Sequence, residues 1–254
     1  MTEPGNHLRL SVVMPVYNER STIEEILWRV REVAIEKEII IVDDGSTDGT
    51  REFLQELSRK AGQEQAGETL PPRSARPSPI ENTRILFQER NSGKGAALRR
   101  GFREARGEIV IIQDADLELD PQDYHKLLEP IERGSADVVY GSRFLERQDH
   151  GGHKWHDLGN KLLTVLSNLF TNLHLTDVWT CYKVFRRELL WELDLRENRF
   201  GFEPEVTAKV AKRHWRVCEV PISYQRRTYA EGKKIGWKDG MRGIWCTVRY
   251  SLFD

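Results

Sequence analysis

Short apolar runs at 10–16, 38–42 and 109–113 alternate with segments whose apolar residues recur at helical spacing, and this alternation constrains the 254-residue chain most. Runs apolar on both faces belong to strands covered on both sides, as in a parallel sheet wrapped by helices. Strands are expected at 10–16, 38–42, 84–88, 108–113 and 136–140, with helices near 94–106 and 121–133 between them. Ser21 and Glu24 have the spacing of a capping box, and Ile23, Ile26, Leu27 and Val30 then form one stripe. A further helix is expected over 50–60, with Phe53, Leu54 and Leu57 inward. The pattern predicts an α/β fold with a mostly parallel sheet and helices on both faces. Ligands then sit at the carboxyl ends of the strands.

The second half changes character. Leu158, Leu162, Leu163, Leu166, Leu169, Phe170 and Leu173 predict a helix over 157–174, followed by a helix over 201–212 and a strand over 218–224. A basic, aromatic tail includes Arg226, Arg227, Lys233, Lys234, Trp237, Lys238, Arg242, Trp245 and Arg249. The leucine stripe suits a core face, and together with this tail it also suits shallow contact with a membrane. Segment 61–83 holds four prolines and two glycines with little to bury, so it reads as a partly disordered surface insertion.

Bulk properties exclude several classes. Lys+Arg 39 against Asp+Glu 40 gives a formal charge of −1, so no global field favours nucleic acid. No apolar run approaches the ~20 residues of a membrane span, and the N-terminus lacks the basic and apolar regions of a signal peptide. Cys181, Cys218 and Cys246 are odd in number and far apart, which favours free thiols in a reducing compartment. A cytoplasmic protein is expected. His150, His153 and His156 have a zinc-like spacing, but the intervening glycines favour a mobile lid.

The chemistry concentrates after the strands. Asp114-Ala115-Asp116 closes the third apolar run, and in an extended backbone residues i and i+2 face the same side. Two such carboxylates suit a hard divalent cation shared with a substrate phosphate. Capping the next helix does not explain them, because Asp120 and Pro121 already supply an N-cap and a first helical residue. Asp43-Asp44-Gly45-Ser46-Thr47-Asp48-Gly49-Thr50 follows the second strand, where its carboxylates can accept from a nucleobase or ribose. Asn91-Ser92-Gly93-Lys94-Gly95 places small residues and a lysine at a helix start, a favourable position for an anion. It is not a Walker A loop, and the chain has no GxGxxG fingerprint.

Together with Val12-Val13-Met14-Pro15-Val16-Tyr17-Asn18-Glu19 and Gly141-Ser142-Arg143-Phe144, these motifs resemble the inverting glycosyltransferases of family 2. Within that family the chain is most similar to the dolichol-phosphate mannose synthase and polyprenyl-phosphate glycosyltransferase branch. That likeness rests on Gly201-Phe202-Glu203-Pro204-Glu205, Glu219-Val220-Pro221-Ile222-Ser223-Tyr224, Arg227 and Gly232-Lys233-Lys234-Ile235. The resemblance implies a Rossmann-like GT-A fold in one domain. Residues 1–140 would bind the nucleotide sugar, and 141–254 would form an acceptor-side extension. Many relatives of this branch continue into transmembrane helices; this chain is more similar to the soluble forms.

The resemblance also assigns roles. Pro15, Tyr17, Glu19, Asp43 and Asp44 would hold the nucleoside, with Lys94 and Ala115 beside them. Asp114 and Asp116 would engage Mg²⁺ or Mn²⁺ and the donor diphosphate, with Glu118 as a further ligand. Asp116, Arg143 and Arg227 would form the catalytic set, the arginines receiving the phosphate of a polyprenyl acceptor. Such a phosphate is already ionised, so the attack that inverts the anomeric carbon needs charge screening rather than a strong base. A soluble saccharide acceptor would need a carboxylate base instead, with Glu203 and Glu205 as candidates, whereas Arg227 with Lys233 and Lys234 favours a phosphate acceptor. A phosphate-receiving signalling domain would leave 141–254 unexplained, and a catalytically dead sugar-nucleotide-binding module would not need the Asp114/Asp116 pair.

Overall fold

A computed structural model describes residues 9–65, 82–145, 154–226 and 237–253. Seven strands form one sheet: β1 (Leu10–Val16), β2 (Lys37–Asp43), β3 (Thr83–Phe87), β4 (Ile109–Ile112), β5 (Val138–Ser142), β6 (Lys183–Arg186) and β7 (Val217–Pro221). Their order is β3-β2-β1-β4-β6-β5-β7, and every neighbouring pair is parallel except those made by β6. The helices are α1 (Ile23–Glu32), α2 (Thr50–Gln65), α3 (Lys94–Glu104), α4 (Tyr124–Glu132), α5 (Lys154–Thr171), α6 (Arg187–Leu190), α7 (Phe202–Lys212) and α8 (Trp237–Leu252).

Alternation along the strands sends successive side chains to opposite faces. Val12, Met14, Val16, Ile39, Ile41 and Ile111 pack beneath Ile23, Ile26, Leu27 and Val30 of α1. On the other face Val13, Ile40, Val42, Val110 and Ile112 meet Ala97, Leu98 and Phe102 of α3 and Phe202, Val206 and Val210 of α7. Each large apolar side chain buried in these layers contributes about 1.5–3 kcal/mol.

Several expectations are corrected. The Ser21–Glu24 box does not cap α1; its N-cap is Thr22, with no side-chain cap bond. The Thr22 hydroxyl instead reaches the Ala115 carbonyl at 2.9 Å, across to the end of β4. Helix α2 continues to Gln65, well into the expected insertion, and residues 66–81 lie outside the described residues. The antiparallel β6 was not anticipated. The basic tail is in fact helical from Trp237, as α8, and packs on α7 and α5. Of the histidine run, 150–153 lies outside the described residues and α5 begins at Lys154.

Helix α5 splits the expected leucine stripe, with Leu163, Leu166 and Phe170 half-buried. Thr164 and Ser167 are buried, whereas Leu162, Val165 and Leu169 are 66%, 64% and 78% exposed. Among the described residues no helix is long and apolar enough to cross a membrane.

Candidate active site

The sheet opens between β1 and β4. Their ladder ends at the Val13–Ile112 pair and the Gln113 N–H bond to Val13 O (3.0 Å), while β1 and β2 stay paired to Val16–Asp43. This is a topological switch point, the crevice where open α/β sheets bind ligands. Pro15 follows two residues after Val13, on the side that β4 has left, so its missing N–H costs no ladder bond.

The loops bordering the crevice are joined by hydrogen bonds. Asn18 N–H donates to Ser46 Oγ (3.0 Å), Thr47 N–H to Asn18 Oδ1 (2.8 Å) and Glu19 N–H to Thr50 Oγ1 (3.0 Å). Glu19 also accepts from the Thr22 hydroxyl at 3.0 Å, and Tyr17 stands half-buried at the loop's start. Asp43 is fully buried; Arg51 lies 2.9 Å from Oδ2, and Ser46 N–H donates to Oδ1 at 3.2 Å. Asp44 accepts from Gln88 Nε2 (2.6 Å), Ser92 N–H (2.8 Å) and Gly93 N–H (2.7 Å). Burial raises the Asp44 pKa despite those backbone donors. Asp44 therefore ties the loops after β2 and β3 together, and Asp43 holds the turn after β2 to the start of α2.

The end of β4 holds the acidic motif. Gln113 is buried: Oε1 accepts from Tyr124 (2.7 Å) and Tyr182 (2.8 Å), and Nε2 donates to Asp114 O (2.9 Å). These three side-chain bonds fix the backbone from which Asp114 projects. The strand stops at Ile112 and Ala115–Glu118 bends, so the i, i+2 alternation expected for Asp114 and Asp116 does not apply. Asp116 Oδ1 accepts from Glu118 N–H at 3.1 Å within that bend. Among the described residues no group of three or more His, Cys, Asp or Glu is gathered as a metal cage.

Lys94, at the start of α3, answers the acids. Its ammonium lies 2.9 and 3.0 Å from the two Asp114 oxygens and 3.1 Å from Glu203 Oε1. Burial alone would lower the Lys94 pKa, but Asp114, Cys181 and Glu203 hold it well above the lysine range. Burial likewise pushes Asp114 up, and Lys94 brings it below the usual carboxylate value. Glu203 is buried and its Oε2 has no hydrogen-bond partner. Lys183, brought in from the opposite direction by β6, is fully buried; burial lowers its pKa to about 8, and nearby Glu203 opposes the shift.

The glycines around Lys94 are steric requirements. A Cβ on Gly93 (φ 100°) would stand 2.3 Å from Asn198 O, and one on Gly95 2.1 Å from Glu197 O. Gly93→Ala is expected to destabilise the fold by about 1–3 kcal/mol, from backbone strain at that φ and displacement of 197–198. Urea unfolding would measure it, and an unchanged midpoint would show that the chain yields there at no cost.

The two candidate glutamates separate. Glu205 is fully buried, accepts from Arg196 N–H and Glu197 N–H at 2.7 Å each, and pairs with Lys209 at 3.0 Å. It holds the chain before α7, and only Glu203 joins the Asp114–Lys94 cluster. On the far edge, Arg143 forks onto Asp177 (Nε–Oδ2 2.7 Å, Nη2–Oδ1 2.8 Å) and stacks 5.1 Å from the Tyr224 ring. Burial opposes the Arg143 charge, but Asp177 raises its pKa further. Backbone bonds join this edge to the acidic bend, through Leu119 paired with Tyr224 and Gln225 N–H to Glu118 O (2.7 Å). Arg227, Lys233 and Lys234 lie outside the described residues.

Gln113, Asp177 and Lys183 are missing from the sequence-based site. Asp177 had no readable signal, and Lys183 was hidden with β6. The polar Gln113 closing an apolar run was visible.

Fold and site together define a class. The strand order, with its acidic strand end at the β1/β4 crevice, is the GT-A arrangement. The chain belongs to glycosyl transferase family 2, whose model matches residues 11–194. It is 32% identical over 228 residues to an undecaprenyl-phosphate 4-deoxy-4-formamido-L-arabinose transferase of Pseudomonas aeruginosa, covering 88% of this chain and 60% of that protein. A Pseudomonas fluorescens protein of the same name is 29% identical, covering 88% and 59%. The chain thus spans about three-fifths of the length of these relatives. Glucosyl-3-phosphoglycerate synthase from Mycobacterium tuberculosis, crystallised with Mn²⁺, UDP and phosphoglyceric acid, superposes with a TM-score of 0.67 at 19% identity over 97% of this chain and 79% of its own. Mannosyl-3-phosphoglycerate synthase from Rubrobacter xylanophilus gives 0.65 at 21% identity over 96% and 72%.

Proposed function

We propose that the chain transfers a hexose, from GDP-mannose or UDP-glucose, to a polyprenyl phosphate with inversion at the anomeric carbon. The carrying observation is the Asp114–Lys94–Glu203 cluster at the carboxyl end of β4, with Asp116 and Glu118 in the adjoining bend. The relatives named for transfer to undecaprenyl phosphate support the acceptor class. Residues 1–140 hold the donor and 141–254 receive the acceptor, as one unit.

The donor set fits Mg²⁺ or Mn²⁺. Such ions take one or two protein carboxylates and complete their shell with substrate phosphate and water, so no all-protein cage is needed. Asp114 and Asp116, with Glu118, supply hard oxygens of this kind. When bound, the ion offsets charge on the departing diphosphate. Lys94 sits where it can give a donor phosphate a positive partner, and Glu203 and Asp114 fix its direction. Tyr17, Glu19, Asp43 and Asp44 shape the nucleoside side, the aspartates through the loops they tie down. Arg143, held rigid by Asp177 and Tyr224, and Arg227 screen the acceptor phosphate from the diphosphate.

An exposed surface supports a bilayer contact. Leu162, Val165 and Leu169 of α5 and Met241, Trp245, Leu252 and Phe253 at α8 are solvent-facing, and Arg249 stacks 4.9 Å over Trp245. Aromatic, aliphatic and arginine side chains on one helix face suit a membrane interface. The chain then works at the inner face of the cytoplasmic membrane.

The acceptor is tested at Arg227. Arg227→Ala is expected to raise the acceptor KM or lower kcat by about tenfold to a hundredfold, the loss of one charge-assisted contact. Donor affinity should stay nearly constant, and Arg227→Lys should recover part of the loss. The assay is transfer of radiolabelled sugar to a polyprenyl phosphate in detergent. An equal loss with a neutral hydroxyl acceptor would favour a saccharide acceptor, with Glu203 Oε2 as the base.

A further inference from the structure

Helix α8 converges on one buried carboxylate. Glu197 Oε2 accepts from Arg242 Nε (3.1 Å) and Nη2 (2.8 Å), and Oε1 accepts from Tyr250 OH (3.0 Å). Cys246 lies between them in sequence and also hydrogen-bonds to Glu197. Residues i, i+4 and i+8 share one helix face, so this stripe of α8 is built around a single acceptor. A Cβ on Gly201 would lie 2.6 Å from Glu197 Oε2 and 2.8 Å from Cys246 Sγ, leaving no room for a larger residue.

The backbone of the same residue rests on the donor site. Glu197 O accepts from Arg99 of α3 and faces Gly95, and Asn198 O accepts from Ala96 N–H at 3.1 Å. Asn198 Oδ1 takes a second bond from Arg99 at 2.5 Å, and Asn198 O faces Gly93. Residues 197–198 therefore cover both neighbours of Lys94. One side of Glu197 is gripped by α8, and the other presses on the turn that aims the Lys94 ammonium at Asp114.

We infer that Glu197 is a positioning residue: by seating α8 against the 197–198 segment it sets Lys94 at Asp114. This rests on the donor-site reading above for its functional meaning, while the positional statement stands apart from it.

Two measurements on the full chain test this. Acylation of lysines by an activated acetate ester, read by mass spectrometry, follows solvent access at Lys94 with exposed Lys60 as reference. Glu197→Gln and Arg242→Ala are each expected to speed Lys94 acylation about fivefold, with Arg242→Lys restoring most of the protection. Calorimetric binding of UDP and of GDP with Mn²⁺ gives the second reading. Glu197→Gln should weaken the nucleotide that binds by about fivefold in the native chain and by less than about twofold in a Lys94→Ala background. Thermal unfolding identifies a variant that has lost its fold, and Arg242→Ala, on the surface, then carries the test. Unchanged Lys94 reactivity, or equal weakening in both backgrounds, overturns the positioning role. Faster acylation with neither nucleotide bound would leave the positioning role intact and overturn the donor assignment.

Discussion

Replacing Asp116 with alanine is expected to lower sugar transfer by about a hundredfold to a thousandfold, the scale of losing one preorganised electrostatic contact to a developing charge. The side chain is half-buried in the bend after β4, and its bond from Glu118 N–H is local. The fold is expected to survive the substitution, so the loss is read in turnover and diphosphate affinity. Transfer and diphosphate affinity would be measured with Mg²⁺ and with Mn²⁺, alongside thermal unfolding. Normal turnover in either metal would remove the central assignment.

Glu205→Ala should act through the fold instead. The substitution strips an acceptor from one buried and one part-buried N–H and removes the carboxylate paired with Lys209, which also donates to the Asp194 carbonyl. Breaking a buried pair of this kind costs about 3–5 kcal/mol, enough to consume much of a domain's stability. Glu203→Gln, two residues earlier, should preserve the unfolding midpoint far better and slow the reaction. Denaturant titration and initial rates on both variants separate the roles. Comparable destabilisation by the two would show that Glu203 is equally structural.

The left half of the sheet was legible because β1, β2 and β4 are buried on both faces and so read as continuous apolar runs. β6 was not, because its four residues carry one buried lysine and one arginine, which erase any apolar period. Helix α8 was hidden for a related reason: its inward stripe is Gly243, Cys246, Thr247 and Tyr250, small or polar, while Met241 and Trp245 face out. Helix α5 was legible, but its most buried residues were not, since only tertiary contacts reveal that Thr164 and Ser167 lie deeper than the half-buried Leu163, Leu166 and Phe170. At the site, motif position brought Asp114, Lys94 and Glu203 into view. It could not tell Glu203 from Glu205, because both are acidic, buried and in the first turn of α7, and only their partners differ.

The stitching of the loops after β1, β2 and β3 bears on how donor preference could be altered. Asn18, Ser46, Thr47 and Thr50 join the first two loops, and Asp44 joins the second to Ser92 and Gly93. A single exchange in any one strips a partner from the next, so its effect on base preference would be mixed with a loss of order. Chimaeras that swap 17–20, 44–50 and 88–95 together, as a cassette on an unchanged sheet, are the natural unit of redesign.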